Sequence, residues 1–249
     1  MNAIIKLAAM VGAGAMVQGA VVLSAQIPSG GAHVLFVGNS LTYTNDLPGT
    51  VAALGLTVGD TIHVRTVALP NLALIDHLNG ASTASAVISG GRWDFVVLQQ
   101  GPTSLPVNRD TLVLATRRFD PYIKSAGATS AQLMTWPSSD RSQDFPGVLE
   151  SSRTAARAIS GVVFAAGQAW SAALARDRSL PLYGGDGYHP APLGTYLAAL
   201  VVYEGITGHD ARLLPPIAVV AGVSLPTATA TIRMLQQVAH ETMTQHHAP

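Results

Sequence analysis

The chain has 249 residues, of which 48% are hydrophobic and 11% are charged, and it contains no cysteine. This composition argues against a disordered chain, and the lack of cysteine excludes disulfides, a thiolate nucleophile and metal sites with cysteine ligands. Fourteen basic residues balance fourteen acidic ones and are scattered along the chain, so we predict no surface for nucleic acid or anionic membranes and expect a small or neutral substrate.

The first 25 residues have the pattern of a secretory signal peptide. Lys6 precedes a run of apolar and small residues that ends near Ala25, and Gln26 begins a polar stretch. An uncleaved anchor is the alternative, because this run approaches the roughly 20 residues that span a bilayer, but its glycines favour cleavage. We expect a signal peptide over 1–25 and a single domain over 26–249. The mature protein would be secreted or periplasmic, without stable membrane insertion.

Five short β-rich runs alternate with longer segments of helical periodicity. Several runs are continuously apolar, which is typical of strands that helices cover on both faces of a parallel sheet. The pattern predicts an α/β fold, a doubly wound parallel sheet of about five strands with helices on both faces. The predicted strands are His33–Gly38, Thr61–Ala68, Phe95–Gln99, Ser130–Trp136 and Val162–Ala165.

Apolar residues at helical spacing separate these strands and follow the last one. We expect Pro121 to kink or divide the third helix. Pro192 suits the first turn of a helix that runs to about Gly205, and another helix is expected to begin near Pro226. The helices between the strands are predicted at Leu47–Leu54, Leu72–Leu78, Arg109–Ser125 and Pro146–Ile159.

A serine follows the first predicted strand directly. In open α/β sheets, ligands bind beyond the carboxyl ends of the strands. Gly38 permits a tight turn there, which would place the Ser40 hydroxyl at the ligand crevice as a nucleophile. The alternative is that Ser40 only caps the next helix.

An aspartate and a histidine lie three residues apart in a loop rich in glycine and proline. Asp186 at this spacing can orient the ring of His189 while the other ring nitrogen faces a nucleophile. A turn-forming aspartate beside a surface histidine is the alternative. His77 lies in a helical pattern, and we expect it to pack or cap rather than to act in catalysis.

Two glutamines end the third predicted strand. The amide of Gln100, in preference to that of Gln99, could donate a hydrogen bond to the oxyanion that forms during acyl transfer. The alternative is that both glutamines bind loop carbonyls. The sequence contains neither a Rossmann nor a P-loop glycine pattern, and His246 and His247 lie in a tail typical of frayed ends, so no metal or cofactor is predicted.

The order of these motifs resembles the SGNH/GDSL hydrolase family, and in particular its branch with Gly-Asn-Ser-Leu-Thr near the start. The resemblance extends from about His33 to Gly208. It implies a flavodoxin-like sheet, with Ser40 as nucleophile and Asp186 and His189 completing a catalytic triad. No cofactor is implied.

The resemblance also implies an oxyanion hole, in which this chain departs from the family. The family uses a glycine amide after the second strand and an asparagine side chain after the third. Here Pro70 and Asn71 follow the second strand, and glutamine follows the third. Because proline has no amide hydrogen, we expect the donors to be Ser40, Asn71 and Gln100.

These residues together predict a serine esterase that hydrolyses acyl esters, such as an O-acetyl group on a carbohydrate or a short-chain lipid ester. A binding module with the same fold and weak or no catalysis is one alternative. An acyltransferase that uses the same triad is another. A Ser40 to His189 distance within hydrogen-bonding range and an open crevice would favour an enzyme.

Overall fold

A computed structural model of the chain describes residues 30–217, 219, 220, 222–225 and 227–247. The predicted signal peptide over 1–25 lies outside the described residues, so it stays a prediction. Within the described ranges, no helix combines the length and the apolar character needed to cross a membrane.

The main sheet has five parallel strands in the order β2-β1-β3-β4-β5. This is the flavodoxin-like order, so the predicted fold class is confirmed. β1 lies centrally, because it pairs with β2 on one side and with β3 on the other. The strands are β1 (Ala32–Gly38), β2 (Ile62–Ala68), β3 (Phe95–Gln99), β4 (Thr129–Leu133) and β5 (Val162–Phe164), and a separate antiparallel pair is formed by β6 (Val219–Val220) and β7 (Val223–Ser224).

Helices connect the strands and continue after the last one. Short helical turns also occur at His77–Ala81, Ser139–Asp144 and Ala211–Leu213. The helices are α1 (Ser40–Tyr43), α2 (Leu47–Leu56), α3 (Leu74–Asp76), α4 (Ala84–Gly90), α5 (Pro106–Ser125), α6 (Phe145–Arg157), α7 (Ala166–Arg176), α8 (Pro192–Thr207) and α9 (Thr229–His247).

Pro121 was predicted to kink or divide the third helix, and the division is wrong. α5 is a single helix from Pro106 to Ser125, with Pro121 inside it. A proline removes the amide that would bond the carbonyl four residues earlier, here that of Arg117. Both residues are exposed, so water can satisfy that carbonyl.

The sheet has a hydrophobic core on each face, because alternate residues of a strand point to opposite sides. In β1, Val34 and Phe36 belong to the core that also contains residues of α2, α7, α8 and α9. Leu35 and Val37 belong to the other core, together with residues of α4 and α5. Helices on both faces leave the carboxyl edge of the sheet free for a site.

The helix after the predicted Asp-His loop is almost fully buried. α8 begins at Pro192, as predicted, and packs against α2, α7 and α9. A helix that is apolar on every side belongs inside a protein. The loop that precedes α8 is therefore joined directly to the core.

Candidate active site

The predicted site residues lie at the carboxyl edge of the sheet. Ser40 follows β1, and Gln100 follows β3, its neighbour in the sheet. The chain order reverses between these two strands, because β2 lies on one side of β1 and β3 on the other. Ligands of doubly wound folds bind at such a point.

Ser40 is the first residue of α1, and Asn39 caps that helix. The Asn39 Oδ1 atom accepts a hydrogen bond of 3.1 Å from the Leu41 amide. The first amides of a helix have no partner within the helix. None of the hydrogen bonds found among the described residues uses the Ser40 amide, so it can donate to a ligand.

The structure brings Ser40, His189 and Asp186 together. The His189 Nε2 atom lies 2.9 Å from Ser40 Oγ. On the other side of the ring, His189 Nδ1 lies 2.5 Å from Asp186 Oδ2. Because a carboxylate only accepts, Nδ1 carries the hydrogen, which leaves Nε2 free to accept from the serine hydroxyl.

Backbone geometry fixes Asp186 relative to His189. The second carboxylate oxygen, Asp186 Oδ1, accepts from the amides of Tyr188 at 3.0 Å and His189 at 2.9 Å. Gly187 between them has a φ of 69°, in the left-handed region that favours glycine. The segment from Asp186 to His189, whose spacing predicted this pair, is therefore one turn closed by hydrogen bonds to the aspartate.

Side chains from distant parts of the chain hold this loop. The Trp136 indole donates to the Tyr188 carbonyl at 3.1 Å, and it stacks on Trp170 with ring centroids 3.7 Å apart. The Asn45 side chain donates to the Pro190 carbonyl at 2.8 Å. Asn45 follows α1, so it connects the serine segment with the histidine segment. The sequence analysis did not single out Asn45.

The aspartate stays ionised far into the acid range. The hydrogen bond from His189 lowers the pKa of Asp186 to about 2, and the amides of Tyr188 and His189 contribute. A carboxylate that remains charged stabilises an imidazolium that forms next to it.

Asn71 and Gln100 border the same cleft as Ser40. Asn71 has a φ of 60°, and no hydrogen bond within the described residues uses its amide. Gln100 Oε1 accepts from the Leu74 amide at 3.1 Å, and Gln100 Nε2 donates to Thr103 at 3.3 Å. That donor bond is long, so the Gln100 amide can also turn toward a ligand.

The cleft beside Ser40 has a volume of about 480 Å³, within the range of small-molecule sites. Its described lining residues include no Asp, Glu, Lys or Arg. Tyr188 also lines it, and burial, aided by the charge of Asp186, raises the pKa of that phenol. The described lining therefore combines apolar surface with uncharged polar groups at neutral pH. The amide and hydroxyl groups come from Asn39, Ser40, Asn71, Gln100, Thr103, Asn108, Thr111 and Tyr188.

Two buried residues that the sequence analysis set aside lie directly behind the serine. Gln99 Oε1 accepts from the Asn39 amide at 2.8 Å. His77 Nε2 lies 2.9 Å from the Gly38 carbonyl, although 39 positions separate the two residues. The helical pattern around His77 gave no sign of this contact, because it joins the turn His77–Ala81 to the end of β1, which is distant in sequence.

One group of side chains outside this cleft has the chemistry to hold a metal ion. Ligand atoms of Glu204, Asp210 and His240 all lie within 4.8 Å of one another. They already bind within the protein, since Glu204 accepts from the Ala211 amide and Asp210 pairs with Arg212. Glu204 is near the end of α8, whereas His189 precedes its start, so this group is remote from Ser40.

Comparison with solved structures identifies the fold. A candidate SGNH hydrolase from Slackia heliotrinireducens aligns with a TM-score of 0.59 and 25% identity, over 72% of this chain and 100% of its own. A DUF4886 family protein from Bacteroides uniformis aligns with a TM-score of 0.74 and 17% identity, over 86% and 95%. A psychrotrophic esterase, EstA, from Pseudoalteromonas sp. aligns with a TM-score of 0.51 and 14% identity, over 71% and 97%.

No protein-family model matches the sequence, and no curated protein matches it either. The predicted resemblance to the SGNH/GDSL hydrolases is confirmed by the candidate SGNH hydrolase from Slackia heliotrinireducens, and more distant neighbours share its fold. The assignment to the Gly-Asn-Ser-Leu-Thr branch stays a prediction.

Proposed function

Because this chain has the fold of the SGNH/GDSL hydrolases, we propose that it is a secreted or periplasmic serine esterase that uses Ser40, His189 and Asp186. The observation that carries the proposal is the continuous hydrogen-bonded series from Asp186 through His189 to the Ser40 hydroxyl, with distances of 2.5 and 2.9 Å. A serine, a neutral imidazole and a carboxylate in this arrangement constitute an activated nucleophile.

The reaction begins with attack on the ester carbonyl carbon. As the Ser40 Oγ–C bond forms, the serine proton moves to His189 Nε2, and Asp186 stabilises the imidazolium. The tetrahedral intermediate collapses, the C–O bond to the alcohol breaks, and His189 protonates the leaving alcohol. His189 then takes a proton from water as the water oxygen attacks the acyl carbon. The second tetrahedral intermediate collapses, the Ser40 Oγ–C bond breaks, and His189 returns its proton to Ser40 Oγ as the acid leaves.

The charge on the carbonyl oxygen needs donors that are in place before the reaction. We assign this role to the amide of Ser40, to Asn71 through its backbone or side chain, and to the Gln100 side chain. The amides of Ser40 and Asn71 make no hydrogen bond within the described part of the chain, which supports the assignment, as does the position of all three residues around one cleft.

The substrate that suits the cleft is a neutral ester with a polar alcohol portion. Eight of the described lining residues carry an amide or hydroxyl group, and a long acyl chain would cover these groups without replacing their hydrogen bonds. An O-acetyl carbohydrate satisfies them, so we favour it over a short-chain lipid ester.

The open cleft and the short Ser40 to His189 distance favour an enzyme over a binding module with the same fold. Hydrolysis and acyl transfer share every residue up to the acyl-enzyme. The two reactions differ in whether water or a second alcohol attacks the acyl-enzyme. A sugar supplied in excess as the acceptor distinguishes them, because hydrolysis releases the free acid and transfer forms a new ester.

The experiment that tests the function measures p-nitrophenol release from acetate and octanoate esters, and acetate release from an acetylated monosaccharide. We expect wild type to prefer the acetate and Ser40→Ala to lose activity. Ser179→Ala is the matched control, because Ser179 bonds Asp177 in a loop after α7. Equal activity of wild type and Ser40→Ala would exclude Ser40 as nucleophile. An inactive wild type across the panel would favour the binding module.

The proposed location is tested separately. Cell fractionation should find the protein outside the cytoplasm, and N-terminal sequencing should give Gln26 as the first residue. A cytoplasmic protein that retains Met1 would contradict the signal peptide.

A further inference from the structure

We propose that His77 and Gln99 are positioning residues that together fix the peptide unit between Gly38 and Asn39, and through it the orientation of Ser40. The inference rests on the proposed function, because it concerns how the nucleophile of that reaction is held. The segment Gly38–Thr42, which carries Ser40, is called the nucleophile turn below.

The carbonyl end of this peptide binds His77. Because a carbonyl only accepts, His77 Nε2 donates to the Gly38 oxygen over 2.9 Å. His77 Nδ1 must then accept, and it lies 2.7 Å from the Ser82 hydroxyl. That hydroxyl accepts in turn from the Ala84 amide, which leaves its own hydrogen for Nδ1. The neighbours therefore select the tautomer that donates to the nucleophile turn.

Burial keeps this histidine neutral. His77 is only 1% exposed, and its removal from water lowers its pKa, although the bond to Gly38 acts in the opposite direction. A neutral ring is required, because Nδ1 of a charged ring could not accept from Ser82.

The amide end of the same peptide binds Gln99. Gln99 Oε1 accepts from the Asn39 amide and from the Thr42 hydroxyl, each at 2.8 Å. These two donors lie on either side of Ser40 in the chain. One buried oxygen therefore joins both ends of the nucleophile turn to β3.

The absence of a side chain at Gly38 makes this contact possible. A Cβ atom there would overlap Gln99 Oε1 and would lie 2.5 Å from Thr42 Oγ1. No real Cβ atom approaches other atoms so closely. The glycine that precedes the motif serine is thus explained by the position of the glutamine, beyond its value for a tight turn.

The stability of the folded protein does not by itself explain a glutamine at position 99. Its side chain is 1% exposed, and its Nε2 atom is buried without a hydrogen-bond partner in the described part of the chain. An unsatisfied buried donor destabilises a protein, but an apolar residue here would leave the Asn39 amide and the Thr42 hydroxyl without their acceptor. The carbonyl oxygen of the side chain is what the turn uses.

The peptide between Gly38 and Asn39 affects catalysis because it is adjacent in the chain to the Ser40 amide. Only the backbone of Asn39 separates the fixed peptide from the Ser40 amide, which we assigned to the oxyanion hole. A misplacement of about 1 Å in a reacting group can reduce turnover on the order of 100-fold. Loss of either side chain should therefore reduce kcat and leave substrate binding in the cleft largely intact.

The test compares Gln99→Met with Gln132→Met in the full-length protein. Methionine keeps the volume of glutamine but removes the accepting oxygen. Gln132 is a matched control, since it is also a buried glutamine at the end of a strand, and it bonds Thr116 of α5 rather than the nucleophile turn. We expect Gln99→Met to lower kcat about 10- to 100-fold with KM near wild type, while Gln132→Met keeps the wild-type kcat.

A second pair of variants covers the case in which Gln99→Met does not fold. His77→Leu removes the donor to Gly38, whereas His77→Gln can replace it with an amide Nε2 at similar reach. We expect His77→Leu to lose kcat and His77→Gln to recover most of it. A second measurement, NMR hydrogen exchange, should show faster exchange of the Asn39 amide in Gln99→Met and unchanged exchange in Gln132→Met.

Three outcomes separate the inference from the proposed function. If Ser40→Ala is inactive, and Gln99→Met and His77→Leu keep the wild-type kcat with only a lower Tm, the inference is wrong and the function stands. If wild type hydrolyses no ester, the function is wrong and the positioning role falls with it. If the Asn39 amide exchanges equally fast in wild type and Gln99→Met, the structural basis of the inference is wrong.

Discussion

Replacement of the aspartate by its amide, Asp186→Asn, tests how much the His189 orientation contributes. Asparagine keeps an oxygen that can accept from the amides of Tyr188 and His189, so the turn should persist. Toward the ring, however, the NH2 group would face the Nδ1 hydrogen. The imidazole then shifts its hydrogen to Nε2, where it can no longer accept from Ser40.

The size of the effect depends on the exposure of the pair. In a buried triad, the same change lowers turnover by about 10⁴-fold. The side chains of His189 and Asp186 are 36% and 52% exposed, so water screens the charge and competes for the ring. We therefore expect a smaller loss of kcat, about 100- to 1000-fold.

The assay is p-nitrophenyl acetate hydrolysis across pH, and a second Asp-His pair in the same chain provides the control. Asp60 Oδ2 lies 2.8 Å from His209 Nδ1, near the start of β2 and therefore at the opposite edge of the sheet from Ser40. Asp60→Asn should leave kcat at the wild-type level. A kcat for Asp186→Asn within tenfold of wild type would refute the reasoning, as would an equal loss in Asp60→Asn.

Three further outcomes follow from the same geometry. In ¹³C NMR, the Asp186 carboxyl should titrate near pH 2 in wild type and move up toward 3.8 in His189→Ala, because the bond from His189 is the largest cause of the lowered pKa; an unchanged midpoint would contradict this. Gln100→Glu keeps the oxygen that accepts from the Leu74 amide but removes the donor, so kcat should fall at least about 100-fold, and a wild-type kcat would remove Gln100 from the oxyanion hole. Burial lowers the pKa of His77 in the folded protein below its ordinary 6.5, so the unfolded chain binds more protons between the two pKa values. The Tm of wild type should therefore fall more steeply on acidification through that range than the Tm of His77→Gln. Parallel curves of Tm against pH would contradict a buried, neutral His77.

The strands and the order of the site residues could be predicted from the sequence because both depend on local patterns. Short β-rich runs, several of them continuously apolar, predicted all five strands of the main sheet, each to within a few residues. The Asp186 to His189 spacing predicted a pair that one closed turn brings into contact. Ligands of open α/β sheets bind beyond the carboxyl ends of the strands, and from this rule the sequence predicts Ser40 at the edge of the sheet where it lies.

Two helices were missed. α4 has seven residues, and five of them are small or polar. α7 begins two residues after β5, and five of its eleven residues are alanines, which mark neither a core face nor a solvent face strongly. The helix expected near Pro226 begins at Thr229 instead. α5 continues through Pro121, whose lost hydrogen bond frees a carbonyl on the exposed side of the helix.

The supporting residues of the site could not be predicted, because their contacts join segments that are far apart in sequence. Asn45 reaches Pro190 across 145 positions, and Gln99 reaches Asn39 across 60. Both residues are unremarkable in their own segments. Only the packing of α1 against the end of the sheet shows which polar groups they serve.

The contact between Ser40 and His189 has a consequence for how the protein acquires activity. It joins residues 149 positions apart, and the parallel sheet beneath it also consists of pairings between distant segments. Such contacts form late in folding, because closing a long loop costs conformational entropy before the contact contributes any stabilising energy. During refolding from urea, ester hydrolysis should therefore return after helical circular dichroism. With no cysteine in the chain, disulfide rearrangement cannot account for the delay.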